Sequence, residues 1–378
     1  MAKVKEKITY WNIYPILSKG AQYNLIYGER SNGKTYGTLA YCLEEYFVNK
    51  SEFAYIRRWD EDLVGKKGES LFNGLIKNGV IRKLSKGKWN YVVYKSRSYY
   101  LAFIDDEGTI TTDTRPFAYA FALTQHEHYK SNSYPEIRNI IFDEFLTRGM
   151  HLPDEFIIFQ NVLSTLIRLR DDVKIFMLGN TVNKYSPYIK EMGLTRMRDQ
   201  KIGTIDVYEY GNSGLKVAVE YSDMPSKEKK SNVYFAFNNP RLNMIKNGAW
   251  EIDLYPHYPR DQYAGINEYV DIKYMFFIEF EGSILQCEVI YKDKDINDKV
   301  NPCYFLFVHQ KTTPIKEGEK TLIYSQTPNP LPNYRRRITK ATSNIERKIQ
   351  RFFAKDKVFY SDNETGEIMR NYLLWCQS

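Results

Sequence analysis

Cysteine, histidine and long apolar runs are all scarce in this chain. Its 378 residues hold four cysteines, Cys42, Cys287, Cys303 and Cys376, scattered without paired spacing. That pattern excludes a zinc ribbon or a disulfide framework and fits a reducing, cytosolic compartment. No apolar run approaches the length of a membrane span, so no membrane partner is expected. The opening segment, Met1 to Lys7, has no apolar core, and a secretory signal peptide is not expected there. The 14 prolines and 21 glycines gather into no low-complexity tract, and no internal repeat is visible.

What remains is an ordinary globular composition, 43% hydrophobic and 26% charged, with an aromatic fraction of 15% carried mainly by 32 tyrosines. At this length two domains are comfortable. A formal charge of +8 inclines the chain toward a polyanionic partner.

One stretch fixes the chemistry. Gly28-Glu29-Arg30-Ser31-Asn32-Gly33-Lys34-Thr35 is a complete phosphate-binding loop. It follows the apolar run Tyr23 to Tyr27, which reads as a buried strand, and leads into Tyr36 to Val48, which reads as a helix. Glycines let successive backbone N–H groups curl around a phosphate, and the helix N-terminus adds its dipole. Gly28, Arg30, Ser31, Asn32 and Gly33 form the cradle. Lys34 reaches toward the β- and γ-phosphates of ATP, and the Thr35 hydroxyl is the expected Mg²⁺ ligand.

The second half of such a site is Ile140-Ile141-Phe142-Asp143-Glu144, an apolar strand that ends in two carboxylates. Asp143 is expected to hold the Mg²⁺ shell and Glu144 to polarise the attacking water, a role that hydrolysis requires. The next strand, Val173 to Leu178, ends near Asn180, which is placed either to sense the γ-phosphate or to serve as a turn residue. Arg168 and Arg170 follow a helical stretch, Phe156 to Ile167, and are candidates for an arginine that reaches a neighbouring subunit's site.

Strand-like and helix-like segments alternate to about residue 200, the pattern of a parallel sheet covered by helices. Phe53 to Arg58 reads as a second strand ending in Arg57 and Arg58, whose contacts with nucleotide or DNA stay open. Trp89 to Phe103 alternates like a hairpin, with a turn at Asp105 to Gly108. From 203 to 231 turn-prone and charged residues, including Pro225 to Lys230, read as a linker. Beyond it, Tyr274 to Phe280 and Ile284 to Tyr291 read as two strands joined at Glu281-Gly282-Ser283, and Ile338 to Phe353 as a basic helix. Lys66 and Lys67, between two glycines, are candidates for a mobile DNA-gripping loop. Arg335, Arg336 and Arg337 are candidates for sequence-blind attraction to DNA phosphates. His126 and His128 would share one face of a strand, a possible zinc pair without a visible third ligand.

Several blocks in order resemble the DNA encapsidation ATPases of small podophages, packaging motors related to large terminases. They are Tyr27 to Tyr36, Tyr55 to Arg58, Lys130-Ser131-Asn132-Ser133-Tyr134-Pro135, Ile140 to Phe145, and Asn180 with Ser186-Pro187-Tyr188. The resemblance covers most of the first 200 residues. It implies a homopentameric ring on the portal of a capsid in the host cytoplasm, driving double-stranded DNA inward by ATP hydrolysis, with a packaging RNA as a further possible partner. It also implies that Arg168 is the trans-acting arginine, with Arg170 as the alternative, and that Lys130 is a second basic residue acting across the interface.

The fold expected is α/β, in three parts. Residues 1–202 are an ASCE-type P-loop ATPase domain, 203–231 a bridging element, and 232–378 a second α/β domain. The resemblance implies that this last domain is RNase H-like and vestigial as a nuclease. An active nuclease would need several carboxylates on two metals; Glu279, Glu281, Glu288, Asp293 and Asp295 are the acids in range. Two alternatives accompany the motor: a terminase-like enzyme with a live nuclease, and a nucleotide switch or scaffold that hardly turns over.

Overall fold

The computed structural model describes residues 11–130, 132–223, 250, 255–257, 272–292, 303–316 and 318–377. Met1 to Lys7, Ser131, Pro225 to Lys230, the end of the expected bridge (224–231), Asp293 and Asp295 lie outside them. The chain divides into two compact units, Met1–Glu251 and Ile252–Ser378. Among the described residues no helix is long and apolar enough to cross a membrane.

The first unit is built on nine strands: β1 (Tyr23–Gly28), β2 (Glu52–Arg57), β3 (Tyr91–Lys95), β4 (Ser98–Ile104), β5 (Ile110–Ala122), β6 (Ile137–Asp143), β7 (Lys174–Asn180), β8 (Ile205–Tyr210) and β9 (Leu215–Ser222). Their order across the sheet is β3-β4-β5-β2-β6-β7-β1-β9-β8. Neighbours from β5 through β9 pair in parallel. The β3–β4–β5 ribbon and the β8–β9 pair add antiparallel edges. Interior strands are buried on both faces, which is why β1 and β6 read as continuous apolar runs rather than alternating ones. On one face Leu39, Cys42 and Leu43 of the helix Lys34–Asn49 pack over Ile26, Ile141 and Phe176. On the other the helix Glu155–Ile167 brings Phe159, which stacks on Phe142 at 5.0 Å.

The expected bridge differs from what is seen. Residues 205–222 are strands of the main sheet, and β9 lies beside β1. The glycines at 211 and 214 turn one hairpin, both at positive φ, rather than loosening a linker. The histidine pair differs too: His126 and His128 lie in a 3-10 segment, Leu123–Tyr129, not on a strand.

In the second unit six strands, β10 (Ile272–Phe280), β11 (Ser283–Lys292), β12 (Cys303–Gln310), β13 (Ile323–Ser325), β14 (Tyr334–Arg335) and β15 (Val358–Tyr360), run in the order β14-β13-β10-β11-β12-β15. β10, β11 and β12 form an antiparallel meander, whereas β13 pairs with β10, and β14 with β13, in parallel. Glu281 and Gly282, both at positive φ, make the tight turn expected between β10 and β11. The basic helix is shorter than expected. It spans Asn344–Ala354 because Ser343 and Glu346 close a capping box that fixes its start.

β9 also carries a buried carboxylate. Glu220 accepts a hydrogen bond from the Trp11 indole at 2.7 Å, while the Trp11 backbone N–H donates to the Asn32 carbonyl at 3.0 Å. Burial pushes Glu220 up to about 7, against the pull of Trp11 and Lys34. The unfolded chain therefore releases this proton first, and stability falls as pH rises from the ordinary carboxylate range to about 7. Glu220→Gln should flatten that slope, gaining about 1–3 kcal/mol on wild type between about pH 5 and about pH 8. Urea unfolding at both pH values checks it, and equal slopes for the two proteins would contradict it.

Candidate nucleotide site

Strand β1 ends in a close approach that a larger residue would block. Gly28 sits at φ +148, and a Cβ there would lie 2.5 Å from the Ser222 carbonyl oxygen. Ser222 braces the loop from β9: its hydroxyl donates to the Tyr27 carbonyl and accepts from Asn32 Nδ2, both at 2.9 Å. Ser31 and Gly33 take positive φ, which curls the loop into the helix at Lys34. Lys34 is 6% exposed. Its ammonium donates to the Glu29 carbonyl at 2.6 Å, to Asn32 Oδ1 at 3.1 Å and to Asn180 Oδ1 at 3.5 Å. Burial pulls it down to about 8, against attraction from Asp143, Glu29 and Glu220. An anion in the loop would favour its charged form.

Asp143 ends β6 and is buried. Its Oδ2 accepts from the Thr35 hydroxyl at 3.1 Å and from the Tyr55 phenol at 3.0 Å. Burial raises its pKa above the usual carboxylate range, while Arg57 and the Tyr55 bond pull it back. Two oxygen ligands beside the loop, one of them a buried carboxylate, suit a divalent cation such as Mg²⁺.

Glu144 follows at φ +62, with its side chain 55% exposed. Arg57 Nη2 holds its Oε2 at 2.7 Å and also contacts Asp62 at 3.1 Å, and Lys67 contacts Asp62 at 3.2 Å. Arg30, Ser31, Lys34, Thr35, Asp143, Glu144 and Asn180 line one cavity of about 360 Å³. The sheet register makes this possible: Gly28 lies opposite Asn180, and Asp143 opposite Leu178, so three strand ends finish side by side. The roles of Tyr55 and Ser222, and the partner of Arg57, were not readable in sequence.

The other sequence candidates lie in differing surroundings. Arg168 caps the end of the helix Glu155–Ile167, exposed, and donates to the Asn132 carbonyl at 2.8 Å. Lys130, exposed and two residues before Asn132, contacts Glu127 at 2.5 Å. Arg170 is committed to backbone carbonyls, among them those of Ile167 at 3.1 Å, Pro135 at 2.8 Å and Tyr134 at 3.2 Å. It ties the strand approach to the helix end. Lys66 and Lys67 begin a short helix, Lys66–Glu69, rather than a loop.

In the second unit Arg335, its side chain 35% exposed, pairs with the buried Glu346 at 3.0 Å, and Arg336 and Arg337 lie over the Trp375 ring, each at 5.4 Å. Arg347, Lys348 and Arg351 on the Asn344–Ala354 helix are exposed. Glu279 lies opposite Ser325 of β13, Glu281 sits in the turn, and Glu288 is buried with Gln286 and His309. Among the described residues no three His, Cys, Asp or Glu side chains gather as a metal site.

Comparison with known proteins bears on this geometry. Residues 5–231 match the family described as podovirus DNA encapsidation protein (Gp16). The DNA packaging protein of Bacillus phage phi29 is 26% identical over 186 residues, 48% of this chain and 50% of that protein. The DNA packaging protein of Bacillus phage B103 is 26% identical over 257 residues, 60% of this chain and 73% of that one. The chain thus spans about half the length of the relatives from phages PZA and phi29. Among solved structures, the bacteriophage Phi-29 viral genome packaging motor assembly aligns over 96% of both chains, with a TM-score of 0.54 at 20% identity. The Phi-28 gp11 DNA packaging motor aligns over 98% of both chains, with a TM-score of 0.50 at 16% identity. At these identities the likeness is one of fold. With the match of residues 5–231 covering more than half of the sequence, the chain belongs to the podovirus DNA encapsidation protein (Gp16) family.

Proposed function

We propose that this chain is an ATP-hydrolysing motor that drives double-stranded DNA into a viral capsid, working as a ring, expected to be pentameric, at the portal in the host cytoplasm. The observation that carries the reading is the meeting of Lys34, Thr35, Asp143 and Glu144 in one cavity at the carboxyl edge of the sheet, in a chain of this family. That β7 separates β1 from β6 supports the ASCE-type assignment.

The loop amides and Lys34 would bind the β- and γ-phosphates, and Thr35 and Asp143 would hold Mg²⁺, which supplies charge neutralisation to the phosphates. Glu144 would orient the attacking water. In the present geometry Arg57 engages its Oε2, and the proposed cycle has that pair open when Glu144 serves as base. Asn180, bonded to Lys34, is the proposed sensor of the γ-phosphate. Arg168, exposed at the helix end, is proposed to act on a neighbour's nucleotide, with Lys130, two residues before the Asn132 that Arg168 contacts, as the second basic residue.

The strand order of the second unit, a three-stranded meander with two parallel strands added on the β10 side, supports an RNase H-like domain. Ser325 facing Glu279, where a nuclease would gather carboxylates, supports a domain that does not cut. The exposed basic face of the Asn344–Ala354 helix, with Arg336, Arg337, Lys66 and Lys67, is the proposed attraction for DNA or for a packaging RNA. A second reading, a nucleotide-binding scaffold with negligible turnover, draws on the Arg57–Glu144 ion pair.

Lys34→Ala should lower ATP affinity by about tenfold or more. Glu144→Gln should leave affinity within about threefold while turnover falls by about a hundredfold or more. Equilibrium binding beside a phosphate-release assay separates the two, and wild-type binding without turnover would favour the scaffold. Arg168→Ala rings should be nearly inactive, and mixing them with Glu144→Gln subunits should restore part of the rate, because some interfaces then join an intact Glu144 to an intact Arg168. Mixtures no faster than the sum of their parts would contradict a trans role.

A further inference from the structure

We infer that Arg58 is a positioning residue of the ATPase site, acting through the backbone of Glu144; this rests on the proposed role of Glu144. Sequence left Arg58 between nucleotide and DNA, and it reaches neither surface, being 4% exposed. Its Nε and Nη2 form a bidentate pair with Glu155 at 2.7 and 2.8 Å. Nη1 donates to the Glu144 carbonyl and Nη2 to the Phe145 carbonyl, both at 3.0 Å. Two consecutive carbonyls therefore converge on one guanidinium, the first from a residue in the left-handed conformation, Glu144 at φ +62.

A non-glycine residue keeps that conformation only where its surroundings over-determine it. Here they do. Glu155, 1% exposed, is itself fixed by the Leu152 N–H at 2.8 Å and the Tyr188 phenol at 2.9 Å. On the other side the Phe145 N–H donates to the Leu178 carbonyl at 3.1 Å, and the Glu144 N–H to Asp143 Oδ1 at 3.0 Å. The peptide planes on both sides of Glu144 are thus held while its side chain stays half exposed. Arg57 takes the carboxylate and Arg58 the backbone, so opening the Arg57 pair swings the carboxylate about a fixed root. A lysine at 58 could not hold this arrangement, since it offers a point charge instead of a planar fork.

The test is a double-mutant cycle on the full chain: wild type, Arg58→Lys, Glu144→Gln and both together, each followed by thermal unfolding, ATP affinity and single-turnover hydrolysis. Arg58→Lys is expected to slow hydrolysis by about tenfold or more with ATP affinity within about twofold, and to slow the Glu144→Gln protein by less than about twofold further. Equal losses in both backgrounds, a matching loss of ATP affinity, or an unchanged rate would overturn the inference. If Arg58→Lys melts below the assay temperature, Glu155→Gln, which keeps the shape and weakens the pair, runs the same cycle under the same criteria. A wild type that binds ATP and never turns it over overturns the ATPase reading and this inference with it. An active wild type with additive losses overturns this inference alone.

Discussion

Three strands must end at the same level for this site to exist. Gly28 of β1 lies beside Asn180 of β7, and Asp143 of β6 beside Leu178, so the loop, the acids and the Asn180 amide converge although they are up to 152 residues apart in sequence. Parallel pairing gives this without any turn, since every strand presents its carboxyl end to one edge. A one-residue slip of β6 against β7 would send Asp143 to the other face of the sheet. Burial on both faces resists that slip: Ile140 and Phe142 point into one core, Ile141 into the other.

The edge created this way is crowded with charge. Lys34 and Asp143 are both buried, and burial works against the ionised form of each. Isolated charges there would be costly, and the site answers by coupling them. Lys34 is attracted by Asp143, Asp143 by Arg57, and Arg57 spans Glu144 and Asp62. Deeper in, Glu155 would be raised by burial, yet the bonds from His151 and Arg58 hold it at about 2. In the proposed reading, the outer part of this network changes when a nucleotide's charge arrives. The inner part, with Glu155 fully committed, is built to stay. That division fits a machine in which one carboxylate moves and its attachment does not.

The legible parts of this structure were those whose chemistry is local. The phosphate loop carries its glycines, lysine and threonine within eight residues, and Asp143-Glu144 follows its apolar strand directly. The alternating stretch that holds β3 and β4 and the β10–β11 hairpin announced themselves by alternation and turn residues, whereas β5, Ile110–Ala122, was not read as a strand. What stayed hidden depends on distance along the chain. Arg57 and Arg58 stood out at a strand end, but their partners at 144, 145 and 155 are a fold away. β8 and β9 hid behind the Gly211–Gly214 turn: β8 is an edge strand, half exposed along its length, so no apolar run marks it. Arg335 read as a phosphate contact because nothing local reveals that the capping glutamate of the next helix also binds it.

Hydrolysis at this site is proposed to be coupled to DNA. Steady-state ATP hydrolysis by the purified chain, with and without double-stranded DNA of mixed sequence, tests it most directly. A DNA-coupled motor is expected to hydrolyse ATP several-fold faster with DNA, with the stimulation fading as salt screens the phosphates. Turnover that ignores DNA at low salt would contradict the coupling and leave an ATPase without its track.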